Sequence, residues 1–266
     1  MRQFIPFLPQ DPFVAVVRLQ GIIASGGRGA ALNDQSTALL LEKAFNRGKP
    51  KAVALVVNSP GGSPAQSSLI GARIRRLAEE KKTKVYAFVE DVAASGGYWL
   101  ATAADEIWVD ENSVVGSIGV ISSGFGFHEL IERYGIERRV HTAGKSKSML
   151  DPFRPEKEED VARLKEIQEQ IHQSFIGHVK RRRGDKLPEG EDLFTGEVWV
   201  GEKAVEKGLV DGVGHIVPKM KEIFGKRIRF SVYQQRRPFL SRLGASLVDG
   251  AVSEVETRAE YARFGL

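Results

Sequence analysis

Along the first half of the chain, continuous apolar runs alternate with amphipathic ones. Phe13–Leu19 (FVAVVRL) reads as a buried strand ended by Gly21. Gly26-Gly27-Arg28-Gly29 then reads as a loop, and Asp34–Arg47 has helical spacing with Leu39, Leu40, Leu41 and Ala44 on its apolar side. Ala52–Val57 (AVALVV) is apolar at every position, as a strand covered on both faces must be. It runs into the turn Asn58-Ser59-Pro60-Gly61-Gly62. A helix over Gln66–Glu80 leads to the next buried strand, Val85–Val89, and a short helical stretch follows Ser95-Gly96-Gly97. Ile107–Val109 is a further short strand. Strands that alternate with helices predict an α/β fold with a mainly parallel sheet flanked by helices. In such a sheet, the turns after 57 and 89 lie at the carboxyl edge, where ligands bind.

Beyond residue 150 the pattern becomes helical. Glu156–Arg183 is a long amphipathic helix, with Val161, Leu164, Ile167, Ile171, Phe175 and Val179 recurring at spacings of three and four. Pro152 and Pro155 precede its start. Val198–Lys207, stopped by Gly208, and Ile216–Phe224 are read as helices. Leu240–Tyr261 is a last one, weakened by Gly244 and Gly250. These patterns divide the chain into an N-terminal arm (1–12), a main domain (13–230) and a C-terminal helical extension (231–266).

Composition narrows the function classes. The 266 residues include no cysteine, which excludes disulfides, a thiol nucleophile and cysteine-bound metal. The net charge is +5, but the 39 basic and 34 acidic residues are interspersed, and no nucleic-acid module accompanies them. The one compact basic run, Arg181-Arg182-Arg183, sits where a helix C-terminus favours cations. No signal peptide and no membrane-spanning run is visible, so the chain as written reads as soluble. Phe4-Ile5-Pro6-Phe7-Leu8 can touch a membrane surface or pack on a neighbouring subunit.

Candidate chemistry centres on Ser95, which lies between two alanines and two glycines just after a buried strand. Small neighbours give a hydroxyl backbone access, and the Gly96 amide would face an oxygen held beside it. A serine here can equally serve as a helix cap. Gly61 and Gly62 let the backbone approach a ligand and offer further amides, although Pro-Gly-Gly is also a plain turn. None of the five histidines has catalytic or metal-ligand spacing, and position 93 is Ala, so there is no GxSxG elbow. A lysine made neutral by burial can replace histidine as the base. The residues themselves do not say which lysine.

Taken together, VVNSPGG (56–62), DVAASGGYW (91–99), GSIGV (116–120), AGKSKSMLDPFR (143–154) and TGEVWVGEKAVEKGLVDGVG (195–214) resemble the signal peptide peptidase A family, in its short single-copy form. The resemblance covers about 200 residues in the family's order. It implies a ClpP/crotonase-like fold and a serine peptidase needing no metal or cofactor. Ser95 would be the nucleophile and Lys147 the general base, with Lys145 the near competitor. Ser117 would orient the base, and Gly62 and Gly96 would donate oxyanion-hole amides, with Gly61 close by. It further implies a homo-oligomeric ring whose active site is shared between subunits, acting on peptides such as signal-peptide remnants. A crotonase-like acyl-CoA enzyme is the alternative, needing a carboxylate near the glycine turns. A non-catalytic ring-forming scaffold, related to the stomatin-partner proteases, is the third reading; the presence of both Ser95 and Lys147 counts against it.

Overall fold

The structure is a computed structural model that describes residues 12–26, 31–144, 146–235 and 258–266. It divides into two compact units: residues up to Ile118 together with those from Gly177, and Gly119–Ile176 between them.

The first unit is built on one sheet. Strands β1 (Phe13–Gln20), β2 (Ala52–Ser59) and β3 (Val85–Ala94) form its centre, and helices α1 (Asp34–Asn46) and α2 (Pro64–Lys81) are the crossovers between them. All three strands pair in parallel. Their apolar runs are explained by burial on both faces: every residue from Val14 to Val17 and from Ala52 to Val57 is buried. Asn33 caps α1 by accepting from the Ser36 amide, and Pro64 occupies the first turn of α2 after the cap Ser63.

After β3 come α3 (Gly96–Ala101), β4 (Glu106–Val109) and β5 (Val114–Gly116). The second unit contains α4 (His128–Arg133). Helix α5 (Glu158–Arg183) begins in the second unit and ends in the first, where β6 (Val198–Val200), α6 (Gly201–Glu206), β7 (Gly212–Val213), α7 (Ile216–Phe224) and β8 (Arg229–Tyr233) complete the sheet. The order is β6-β5-β3-β2-β1-β8, with β4 and β7 branching from β3; among the described residues only the β5–β6 pair is antiparallel. On one face Val14, Val16, Ala54, Val56, Tyr86 and Phe88 pack with Met220 of α7.

Three sequence expectations are corrected. Val198–Lys207 is not one helix: 198–200 form strand β6, and the helix starts at Gly201. Gly201 takes φ +46 against the Glu111 carbonyl, a turn that a side chain would block. Strand β3 continues past Val89 to Ala94, reaching the residue before Ser95. The sheet also continues past residue 230, through Tyr233. Residues 1–11 of the expected arm (1–12), including Phe4–Leu8, and most of the helix expected over 240–261 lie outside the described residues; 258–262 are helical.

In the second unit, the Phe127 amide donates to the Pro152 carbonyl at 2.6 Å, and the Phe127 and Phe153 rings stack at 5.6 Å. Arg138 lies over Phe153 and reaches Asp151. Phe125, Tyr134 and Ile136 stay largely exposed, at 82%, 73% and 59%. Among the described residues, no helix is long and apolar enough to cross a membrane.

Candidate active site

Strand β3 ends at Ala94, and α3 begins at Gly96, so Ser95 is the single residue of the turn between them. Its backbone has φ 50 and ψ −120. An L-residue in that region costs about 1–3 kcal/mol and persists only where its surroundings enforce it. Here they do, because the Ser95 amide donates to the Gly116 carbonyl at 2.8 Å and its carbonyl accepts from Trp99 at 3.0 Å. Ser95 stands at the cap position of α3, yet its side chain makes no capping bond. Among the described residues its hydroxyl has no partner, and the residue is only half-buried. The capping alternative left open by the sequence therefore does not hold.

The glycine turn lies directly against this serine. A Cβ on Gly61, whose φ is +104, would fall 2.7 Å from the Gly96 nitrogen and 2.9 Å from the Ser95 Cβ. Gly62 is bridged to Ile23: Ile23 donates to the Gly61 carbonyl at 2.8 Å, and Ser63 donates to the Ile23 carbonyl at 2.7 Å. That pairing directs the Gly62 amide away from Ile23. Neither the Gly62 nor the Gly96 amide makes a hydrogen bond among the described residues. Gly97 is equally constrained, because a Cβ there would run into the Ser59 carbonyl. Glycine at 61 and 97 is thus what lets the end of β2 and the start of α3 close on each other around Ser95, while Gly62 leaves room for Ile23 and Gly96 for Ser67.

Ser117 repeats the local geometry one strand over. It follows β5 as Ser95 follows β3, with Ala94 paired to Gly116, and its φ is 51. Its amide donates to the Glu197 carbonyl at 2.6 Å, and its hydroxyl has no partner among the described residues. The first unit thus brings together Ser95, Ser117, Gly61, Gly62 and Gly96. Lys147 belongs to the second unit, in the turn after Gly144; its side chain is exposed and makes no ion pair among the described residues. Lys145 lies outside the described residues.

Sequence reasoning missed the groups that brace α3 from behind. His178 stacks on Trp99 at 4.4 Å with 13° between ring planes and shares a 2.9 Å hydrogen bond with Thr102. Burial, followed by repulsion from Arg181 and Arg182, pushes its pKa down to about 4. Arg182 donates to the Thr102 and Ala104 carbonyls at 2.8 Å each, satisfying acceptors at and just beyond the helix end. A helical period alone does not reveal such pairings, since they depend on which strand end α5 meets. Among the described residues no cluster of His, Asp or Glu could hold a metal ion.

An accessible serine hydroxyl in a strained strand-to-helix turn, with two unpaired amides beside it at the carboxyl edge of a parallel sheet, has the arrangement of a serine hydrolase of ClpP/crotonase-like fold. The model of peptidase family S49 matches residues 77–223. A putative signal peptide peptidase SppA of Enterococcus faecium is 30% identical over 207 residues, covering 76% of this chain and 60% of that one. The chain belongs to peptidase family S49. A protein named Na(+)/H(+) antiporter NhaA, from Brucella melitensis biotype 1, is 46% identical over 286 residues, covering 100% of this chain and 39% of its own length. This chain therefore spans about two fifths of that relative. The fold is also that of a 1510-N membrane-bound stomatin-specific protease variant solved with a substrate peptide, at a TM-score of 0.53 and 15% identity over 92% of this chain and 98% of that one. Family membership favours the peptidase over the acyl-CoA reading.

Proposed function

We propose that the chain is an endopeptidase working through a Ser–Lys dyad, with Ser95 as nucleophile and Lys147 as general base. In this reading Lys147 takes the Ser95 proton as the hydroxyl oxygen attacks a peptide carbonyl. The developing oxyanion is held by the Gly62 and Gly96 amides, with Gly61 fixing their approach. Lys147 gives the proton to the leaving amine, and an acyl-enzyme remains on Ser95. Lys147 then activates the water that releases it, while the Ser117 hydroxyl orients the lysine. The observation that carries the reading is the Ser95 hydroxyl at a strained cap position, which, like the Gly62 and Gly96 amides, has no partner among the described residues.

Ser95 and Lys147 belong to different units, and the proposal is that they meet across neighbouring subunits of a homo-oligomeric ring. The exposed Phe125, Tyr134 and Ile136 of the lysine-bearing unit favour this, because monomers rarely leave such surface uncovered. The substrates are extended apolar peptides, signal-peptide remnants among them, in keeping with the name of the Enterococcus faecium relative. We place the protein in the bacterial cytoplasm or at the inner-membrane surface.

The test is labelling with a fluorophosphonate probe, read by mass spectrometry of the tryptic peptide, alongside hydrolysis of a fluorogenic apolar peptide. Labelling at Ser95, with both signals lost in Ser95→Ala, is the expected result. Label elsewhere, or hydrolysis that survives Ser95→Ala, overturns the reading.

A further inference from the structure

Helix α3 has six residues, too few to be held by its own hydrogen bonds, so its neighbours decide where its N-terminus points. Two helices supply the constraint. On α2, Ser67, Gly71 and Arg75 recur at spacings of four and so form one stripe. All three meet α3 or the turn after it. A Cβ on Gly96 would run into the Ser67 hydroxyl, and a Cβ on Gly71 would fall 3.3 Å from Cδ1 and Nε1 of Trp99. Arg75 donates to the Ala103 carbonyl at 3.2 Å. On α5, His178 and Arg182 are four apart: the first stacks on Trp99, and the second binds the Thr102 and Ala104 carbonyls.

Trp99 is where this bracing reaches the nucleophile. Its amide donates to the Ser95 carbonyl at 3.0 Å, closing the turn from which the Gly96 amide projects. Its carbonyl accepts from the Thr102 hydroxyl at 2.8 Å, and that hydroxyl shares a 2.9 Å bond with the His178 ring. The His178 ring therefore holds the indole by its face, at 4.4 Å and 13°, and its backbone through Thr102. An oxyanion donor must be aimed before the charge develops, and a misplacement of about 1 Å costs about 100-fold in rate.

We infer that His178 is a positioning residue for the oxyanion hole: by holding Trp99 against α2, it fixes the rotation of α3 at which the Gly96 amide faces an oxygen held beside Ser95. The inference rests on the Ser95 reading above. His178 acts through Trp99 and has no chemical step of its own. Its loss weakens the hold on the transition state and not on the bound peptide, so kcat and kcat/KM fall together.

The experiment is hydrolysis of a fluorogenic apolar peptide by the parent, Ser95→Ala, His178→Ala, His178→Phe and Gly71→Ala. The kcat is expressed per site titrated to completion with a fluorophosphonate probe. A merely structural role would lower the number of titratable sites and leave each with parental kcat. His178→Ala is expected to lose about tenfold in kcat per site, with KM within about twofold of the parent. His178→Phe restores a ring on Trp99 and is expected to return to within about threefold of parental kcat. Gly71→Ala crowds the indole from α2 and is expected to lower kcat per site about threefold. Parental kcat per site in His178→Ala, or a loss confined to KM, overturns the inference. So does a His178→Phe protein as slow as His178→Ala. Should His178→Ala fail to fold, Gly71→Ala decides, and parental kcat per site in that variant overturns the inference. Hydrolysis that survives Ser95→Ala overturns the catalytic reading itself, which keeps that failure distinct from a failure of His178.

Discussion

Ser95 donates its amide to the carbonyl of Gly116 at 2.8 Å, so the residue that follows Gly116, Ser117, is held next to the nucleophile by a backbone bond rather than by side-chain packing. Both serines leave their strands with φ near +50. The same bond that strains Ser95 therefore also sets the distance to the residue proposed to orient the base.

Strain at Ser95 predicts a trade between stability and activity. Ser95→Gly removes the Cβ that makes φ 50 costly, while glycine adds freedom to the unfolded chain, leaving a net gain of about 1 kcal/mol. Ser95→Ala keeps the Cβ and should show no such gain. Urea unfolding of the two variants compares them directly, and equal stability would contradict the strain argument.

Gly61→Ala is expected to be inactive and destabilised by about 3 kcal/mol or more. Its Cβ would lie 2.7 Å from the Gly96 nitrogen and 2.9 Å from the Ser95 Cβ, at a φ of +104. Thermal unfolding and peptide hydrolysis check the two effects separately. A stable, active Gly61→Ala protein would show that the turn is not pressed against the serine as described.

Stability should fall with acid through His178. The buried ring stays neutral in the native state down to a pKa of about 4, whereas its ordinary value is 6.5. Between those values the unfolded chain binds a proton that the folded chain refuses, so stability is lost as pH falls from about 6.5 to about 4. His178→Gln should unfold with a weaker pH dependence across that window. Denaturant midpoints at pH 7 and pH 5 decide it, and identical slopes for parent and variant would exclude His178 as the cause.

Asp211 anchors the end of α5. It accepts from Arg183 and from the Ile107 amide on one oxygen and from Lys186 on the other. Burial would raise its pKa, but the Arg183 and Lys186 hydrogen bonds outweigh that and hold the carboxyl below its usual range. Asp211→Ala leaves Arg183, whose side chain is 3% exposed, without its counter-charge. A loss of about 3–5 kcal/mol is expected in chemical unfolding; a loss under about 1 kcal/mol would mean that water reaches Arg183.

The sheet's centre was legible because β1, β2 and β3 are buried on both faces and so are apolar at consecutive positions. The three-residue strands β5 and β6 were not: they carry too few positions for a period to register, and β6 was absorbed into the helix that follows Gly201. The glycine turn and Ser95 stood out in the sequence, but that Ser95 does not cap α3 was readable only from the structure. That the serine caps nothing, and that the Gly62 and Gly96 amides are unpaired, depends on contacts between β2, β3 and α3. The choice of Lys147 over other lysines came from resemblance, since nothing in the local spacing marks it.

The most direct measurement is hydrolysis of a fluorogenic apolar peptide by the parent, Ser95→Ala, Lys147→Ala, Lys145→Ala and an equimolar, co-refolded mixture of the first two variants. The dyad predicts a loss of about 10³-fold or more in Ser95→Ala and Lys147→Ala, with Lys145→Ala active. A site shared between subunits predicts that the mixture recovers about a quarter of parental activity, from neighbours that each contribute an intact residue. Full activity in Lys147→Ala would contradict the assignment of the base. A mixture as inactive as its components would contradict the shared site.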